Sequence, residues 1–377
     1  MPDPIKVLIV EDSPTIAAIL RRLIESDPNL QVVGVATNGA EAIRLAARHR
    51  PQVITMDVNM PQMSGLEATE YIMAHTPTPI LVLTASLGSQ DVDLSFKMLS
   101  AGALEIIEKP AAEDWEKAGK RLLERLKLLS RIKVITHLRG KSRTTSDLLV
   151  QPRLITPTEV EAGLIHPPPT SNFKPLVPNP GLLNSRFKIL GVAASTGGPP
   201  ALARLFKELP ASFPLPILLV QHIPAGFSTG LAEWLNNETA LKVKNALEGE
   251  IPQPGTIYLS TDDNHLTVNP YGQLHLDNSP ARFSLRPSAD LTFESMARTW
   301  PGETLAVILT GMGRDGTEGM YFLKQGGGYN IAQDETSCVI FGMPKSAIER
   351  GVIDKILPLS EIASFLKEIV KMPVQGT

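Results

Sequence analysis

The sequence predicts an α/β protein of two doubly wound parallel-sheet domains, the second carrying a small antiparallel β insertion. Three observations predict it. Short apolar segments alternate with amphipathic helical ones over residues 1–130. A basic, proline-rich stretch interrupts the pattern over residues 131–184. The alternation then resumes over residues 185–377. A chain of 377 residues with 43% hydrophobic content suits two domains of ordinary size, each with a core.

In the first domain, strands are expected at Lys6–Val10, Val32–Ala36, Val53–Met56, Ile80–Thr84 and Leu104–Ile107. Helical segments lie between them. The first opens on Ser13 as N-cap and Pro14 at the first helical position, and Ile16, Ile19, Leu20, Leu23 and Ile24 follow at helical spacing. The last runs from Ala112 to Ser130. The linker begins with Arg131, Lys133, Arg139, Lys141 and Arg143, and turns proline-rich through Pro167, Pro168 and Pro169. It reads as an extended, solvated connection with no ligand of its own.

Order returns at Phe187 and lasts to Val370. The clearest strands are Ile189–Ala193, Ile217–Gln221, Thr304–Thr310 and Ile356–Leu359. From Lys242 to Leu276 the segments are short and broken by Pro-Gly, Asp-Asp-Asn and Tyr-Gly turns. This section is expected to be an antiparallel insertion or edge hairpin.

A net charge of −3 gives no reason to expect nucleic-acid binding, which usually needs a basic face. The one cysteine, Cys338, excludes an internal disulfide and fits a reducing cytosol. Beside Val339, Ile340 and Phe341 it reads as a small buried hydrophobe. The chain starts without the apolar region of a signal peptide, and no apolar stretch is long enough for a bilayer. A soluble, cytoplasmic protein without membrane insertion is expected.

Polar residues gather at the strand ends of the first domain. Glu11 and Asp12 follow the first strand, Asp57 ends the third, Thr84 ends the fourth, and Lys109 follows the fifth. In a parallel sheet these positions share the carboxyl edge, where crevices form. An open carboxylate cluster suits Mg²⁺, which would let an anionic phosphodonor approach Asp57. Asp57 can then act as the nucleophile that forms an acyl phosphate. Lys109 and Thr84 would hold the new phosphoryl oxygens.

In the second domain, the first strand runs into Ala194-Ser195-Thr196-Gly197-Gly198-Pro199. A serine at a strand-to-helix turn can expose its hydroxyl near helix amides. The same residues are also good turn and N-cap chemistry, so Ser195 alone decides nothing. His222 ends the next strand, placed as a general base or as a structural histidine. The strand Thr304–Thr310 leads into Gly311-Met312-Gly313-Arg314-Asp315-Gly316. This G-x-G-x-x-G makes nicotinamide binding a formal alternative, since Asp334 and Glu335 follow at a suitable distance. Against it, Asp315 would aim a carboxylate at the pyrophosphate. Asp315 makes better sense orienting His222 in a Ser…His…Asp triad. That chain order differs from the Ser…Asp…His of α/β-hydrolases. A signalling adaptor that binds without catalysis is the other alternative, and the intact Ser195, His222 and Asp315 set speaks against it.

Two resemblances add to this reading. "VLIVEDSP", "VITMDVNMPQMSG", "VLTAS" and "EKP" resemble, in order, the flavodoxin-like receiver domain of two-component response regulators. The resemblance implies phosphorylation of Asp57. It also implies Mg²⁺ held by Glu11, Asp12, Asp57 and the Asn59 backbone carbonyl, and phosphate readout by Thr84 and Lys109. Ile106 departs from the family, where an aromatic switch residue often stands. "AASTGGP", "VQHIPAGF", "RPSAD", "LTGMGRDG" and "AQDETSCVIFGMPKSAIERG" resemble the Rossmann-like hydrolase domain of the chemotaxis protein-glutamate methylesterases, the CheB family. That implies Ser195 as nucleophile, His222 as base and Asp315 as orienting acid, with Thr196 beside the nucleophile and the Met312 amide as an oxyanion donor. No cofactor is expected in this domain. The implied partners are chemoreceptor cytoplasmic helices as substrate and a chemotaxis-type histidine kinase as phosphodonor. "YLSTDDNHLTV" departs from the family's Pro-Gly turn before the His, and that loop is expected to lie outside the catalysis.

Overall fold

The computed structural model of the chain describes residues 3–84, 89–109, 115–132, 134 and 187–370. Apart from residues 131, 132 and 134, the expected linker lies outside the described residues. So do Ala85, Ser86 and Pro110 of the quoted motifs.

The first sheet is built from β1 (Ile5–Val10), β2 (Leu30–Ala36), β3 (Val53–Asp57), β4 (Ile80–Thr84) and β5 (Glu105–Glu108). They pair in the order β2-β1-β3-β4-β5, parallel throughout. The helices between and after them are α1 (Pro14–Glu25), α2 (Gly39–His49), α3 (Gly65–His75), α4 (Ser89–Ser100) and α5 (Trp115–Leu129). Local chemistry explains their starts. The Ser13 hydroxyl accepts the Ile16 amide of α1, with Pro14 next. Ser64 and Glu67 close a capping box on α3.

The second domain follows with β6 (Ile189–Ala194), α6 (Gly198–Lys207), β7 (Ile217–Gln221), α7 (Ser228–Glu238), β8 (Lys242–Asn245) and β9 (Thr256–Leu259). Next come β10 (His265–Val268), β11 (Leu274–Asp277), α8 (Ala289–Thr299), β12 (Thr304–Ile308), α9 (Thr317–Gln325) and β13 (Tyr329–Gln333). The order closes with α10 (Met343–Glu349), β14 (Lys355–Leu357) and α11 (Leu359–Ile369). The large sheet has the order β14-β13-β12-β6-β7-β9-β8.

The section Lys242–Leu276 divides in two. The antiparallel hairpin is present as β10–β11. Upstream, β8 and β9 pair in parallel and extend the main sheet beyond β7. The reason is burial: all of β9 is buried, which suits an interior strand, whereas half-exposed β8 forms the edge. The sequence reading also passed over β13, whose Tyr-Asn-Ile-Ala-Gln carries two amides. Asn330 donates from its side chain to the Met320 and Val352 carbonyls, which lets a polar residue sit fully buried in a strand.

The two domains pack together through α4 of the first and α6 and α7 of the second. Phe96 stacks on Trp234 with ring centroids 5.6 Å apart and meets Phe227 edge-on at 6.3 Å. Val92 lies so close to Gly230 that a Cβ there would fall 2.0 Å from its Cγ1. The start of β5 lies over the carboxyl edge of the large sheet. Among the described residues, no helix is long and apolar enough to cross a membrane.

Candidate functional site

In the large sheet, β6 has β7 on one side and β12 on the other, so the chain's winding direction reverses between β6 and β12. Crevices form at such a switch point. Ser195 follows β6, His222 follows β7, and Asp315 lies in the loop after β12. The Ser195 amide donates to the Thr310 carbonyl at 3.0 Å, which ties the serine turn to the β12 loop. Gly197, at φ +75°, caps α6, and a Cβ there would meet Val339 at 2.5 Å. Gly311 is needed for the same reason: its Cβ would lie 2.8 Å from that of Ser195.

His222 Nε2 and Asp315 Oδ2 are 2.8 Å apart. An ionised carboxylate only accepts, so Nε2 carries the proton and Nδ1 is the nitrogen able to take one. Ser195 and His222 line one cleft of about 400 Å³ together with Thr196 and Met312. Among the described residues, no hydrogen bond joins the Ser195 hydroxyl to His222. Catalytic hydrogen bonds of this kind commonly tighten only when substrate binds.

Asp315 is almost fully buried and richly supplied with donors. Ser288 Oγ donates to Oδ1 at 2.7 Å, the Ala289 amide to Oδ2 at 2.7 Å and the Asp290 amide to Oδ1 at 3.2 Å. Asp315 therefore caps α8 from another loop, at the positive end of its dipole. Burial alone would push the carboxyl up. The bond from His222 and those from Ser288 and Ala289 outweigh it and hold Asp315 below the usual carboxylate range. The sequence reading missed Ser288 and Ala289, although they lie within the quoted "RPSAD".

The same geometry answers the dinucleotide alternative. Asp290 Oδ1 accepts the Gly319 amide of α9 at 2.9 Å, so a carboxylate already occupies the helix start where a pyrophosphate would sit. Cys338 is half-buried and its thiol is pushed up to about 12, chiefly by burial and then by Asp334 and Glu335, which makes it a poor nucleophile.

One wall of the cleft belongs to the first domain, through Leu104, Glu105, Ile106, Arg121 and Arg125. Glu105 Oε2 accepts the Thr196 hydroxyl at 3.0 Å, and its other oxygen lies 3.2 Å from Arg125 Nε. Arg125 also reaches Met312 Sδ at 3.0 Å. The Gly197 amide donates to the Leu104 carbonyl at 3.3 Å. These contacts lie beside Ser195.

At the carboxyl edge of the first sheet, oxygens of Glu11, Asp12 and Asp57 lie within 4.8 Å of one another. Lys109 Nζ stands 2.7 Å from Glu11 and 2.8 Å from Asp57. Burial pushes both of these carboxyls up, Lys109 pulls them down, and the neighbouring carboxylates add to the rise. A hard divalent cation fits this donor set, because it would offset the repulsion that one ammonium leaves. Thr84 is buried beside it, its carbonyl accepting the Lys109 amide at 2.7 Å. The Asn59 side chain turns away to Asp91 at 2.7 Å.

Comparisons with known proteins agree with both halves. The CheB methylesterase family matches residues 190–366, and the response regulator receiver domain matches residues 7–118. Protein-glutamate methylesterase/protein-glutamine glutaminase 4 of Myxococcus xanthus is 41% identical over 370 residues, covering 97% of this chain and 96% of that protein. The protein-glutamate methylesterase/protein-glutamine glutaminase of Nitrosospira multiformis is 37% identical over 372 residues, covering 97% of each. Among solved structures, the Thermotoga maritima CheB methylesterase catalytic domain is 43% identical, with a TM-score of 0.48 over 49% of this chain and 99% of that one. With the Myxococcus xanthus and Nitrosospira multiformis proteins alike along nearly the whole of this chain and of their own, the protein belongs to the protein-glutamate methylesterase/protein-glutamine glutaminase family, with a receiver domain followed by a CheB-type hydrolase domain.

Proposed function

We propose that the chain is a phosphorylation-regulated serine hydrolase that demethylates glutamyl side chains of chemoreceptors and deamidates their glutamines. The observation that carries this is the 2.8 Å contact of buried Asp315 with Nε2 of His222, which lines the same cleft as Ser195. His222 takes the Ser195 proton on Nδ1, and Ser195 Oγ attacks the γ-carbonyl of a methylated glutamate. The Met312 amide and the Thr196 turn stabilise the oxyanion. The C–O bond to methoxide breaks, and His222 returns the proton to release methanol. Water, deprotonated by His222, then cleaves the acyl-enzyme to glutamate. A glutamine follows the same route, with ammonia leaving. Asp315 stays ionised and steadies the imidazolium.

The receiver supplies the control. Asp57 accepts a phosphoryl group from a chemotaxis-type histidine kinase; Glu11, Asp12, Asp57 and the Asn59 carbonyl would hold Mg²⁺, whose charge would let the anionic donor approach. Thr84 and Lys109 bind the phosphoryl oxygens. Lys109 and Glu105 stand at opposite ends of the β5 segment, so the phosphoryl group and the cleft wall act on the same strand. Without phosphate, the wall of Glu105, Ile106 and Arg125 keeps a receptor helix from Ser195. Residues 131–184 act as the tether that keeps the receiver's local concentration high. Methanol release from methylated receptor, lost in Ser195→Ala, tests the reading.

A further inference from the structure

His265 stands on β10, and no step of the proposed mechanism uses it. It is fully buried. Its ring is fixed between two backbone groups: Nδ1 lies 3.0 Å from the Ser288 amide nitrogen, and Nε2 lies 3.4 Å from the Pro280 carbonyl oxygen. A backbone N–H can only donate, so Nδ1 accepts and Nε2 carries the proton. Burial pushes the ring's pKa down, against the pull of the Pro280 carbonyl and Asp277, and so favours the neutral form that can accept.

The amide it holds belongs to the N-cap of α8. Ser288 does not use its own hydroxyl on the helix; it gives Oγ to Asp315. Ala289 and Asp290 give Asp315 their amides. The support of the carboxylate thus comes from three consecutive residues, and His265 fastens that segment from behind. Further along, Thr292 Oγ1 donates to the Leu266 carbonyl at 2.6 Å, and Ser295 Oγ accepts the Val268 amide at 3.1 Å. Those bonds tie β10 to the body of α8, whereas His265 holds the amide of the N-cap itself.

We infer that His265 is a positioning residue of the esterase: through Ser288 it holds the start of α8 against Asp315, and so sets the Asp315 carboxylate against His222. This rests on the proposed Ser195, His222 and Asp315 mechanism. The strand-and-turn segment that carries His265, set aside on sequence grounds, thereby serves the catalytic centre from one layer away.

The substitutions separate this role from simple packing. Asn places an acceptor oxygen near the position of Nδ1. Gln places its polar end near Nε2 instead, and Leu places no acceptor at all. Without an acceptor, the Ser288 amide is buried and unpaired, and the N-cap shifts. The experiment measures kcat and KM for methanol release from methylated receptor. It uses the full chain with acetyl phosphate and Mg²⁺, rates being scaled to the folded fraction from circular dichroism. His265→Leu and His265→Gln should lose about tenfold or more in kcat with KM changed by less than about twofold, as expected for loss of transition-state support. His265→Asn should recover to within about threefold of the parent rate, because the acceptor is restored. Parent-like kcat in the Leu or Gln variant, with Asp315→Asn impaired, overturns the inference and leaves the mechanism standing. An Asn variant as slow as the Leu variant also overturns it. If Asp315→Asn keeps the parent rate, the mechanism itself fails and takes the inference with it. If the Leu variant does not fold, the Asn and Gln pair decides alone.

Discussion

Thr196, the residue after the candidate nucleophile, donates its hydroxyl to Glu105 of the receiver across a 3.0 Å hydrogen bond. Glu105 is half-buried at the domain contact, where burial pushes its carboxyl up and Arg125 and Thr196 pull it down. The turn that carries Ser195 and the receiver domain therefore share a polar contact within the cleft. Glu105→Ala removes the acceptor of Thr196 and the partner of Arg125. We expect methanol release by the unphosphorylated full chain to rise several-fold and stimulation by acetyl phosphate to shrink. A loss of about 1 kcal/mol from the docked state shifts the open fraction roughly fivefold. Unchanged or lower basal activity would mean that the receiver does not act by covering the cleft.

Ser195→Ala should fold and lose about 10³-fold or more in kcat. Asp315→Asn should be comparably severe, because the amide can present N–H to Nε2 and leave His222 in the wrong tautomer. Substantial methanol release by folded Ser195→Ala would remove Ser195 from the mechanism.

Phosphorylation should follow the acid cluster. Acetyl phosphate should label the protein only with Mg²⁺ present, and Asp57→Asn should abolish labelling. Glu11 and Asp57 crowd one ammonium, Lys109, and a divalent cation offsets the charge that remains when the dianionic donor arrives. Labelling that resists EDTA, or that persists in Asp57→Asn, places the acceptor elsewhere.

Stability should carry the mark of Asp290. Burial, and then the Asp315 charge, push its carboxyl up from 3.8 to about 6, although the Gly319 amide and Arg282 work against the rise. The folded value lies above the unfolded one. Near pH 4 the cost of the charge is almost absent. As pH rises towards and through 6, the folded state must carry a charge that the unfolded chain holds more cheaply, and stability falls. Asp290→Asn keeps an acceptor for Gly319 without the charge. Urea unfolding should show a gain of up to about 3 kcal/mol at pH 8 and little change near pH 4. An equal change at both pH values would show that Asp290 does not titrate in this window.

Much of the site was legible because a parallel sheet turns chain order into position. Once β6, β7 and β12 are recognised as strands, Ser195, His222 and Asp315 must fall on one edge. Glu11, Asp12, Asp57, Thr84 and Lys109 follow by the same rule in the first sheet. Period, turn chemistry and small residues at strand ends are local properties, and a sequence displays them directly.

What the sequence could not display depends on contacts between distant segments. The parallel pairing of β8 and β9 rests on which edge of the sheet was left open, and turn residues do not record that. The four donors on Asp315 come from β7's end and from residues 288–290, and the support behind them comes from His265. Glu105 read only as part of an apolar strand until the domain contact set it against Thr196. The sequence by itself determined the two sheets and the residue types at their carboxyl edges, because side-chain period and strand ends are encoded locally. The tertiary structure decided which groups hold Asp315 and which wall closes over Ser195, because hydrogen-bond partners far apart in the chain are chosen only when the segments pack.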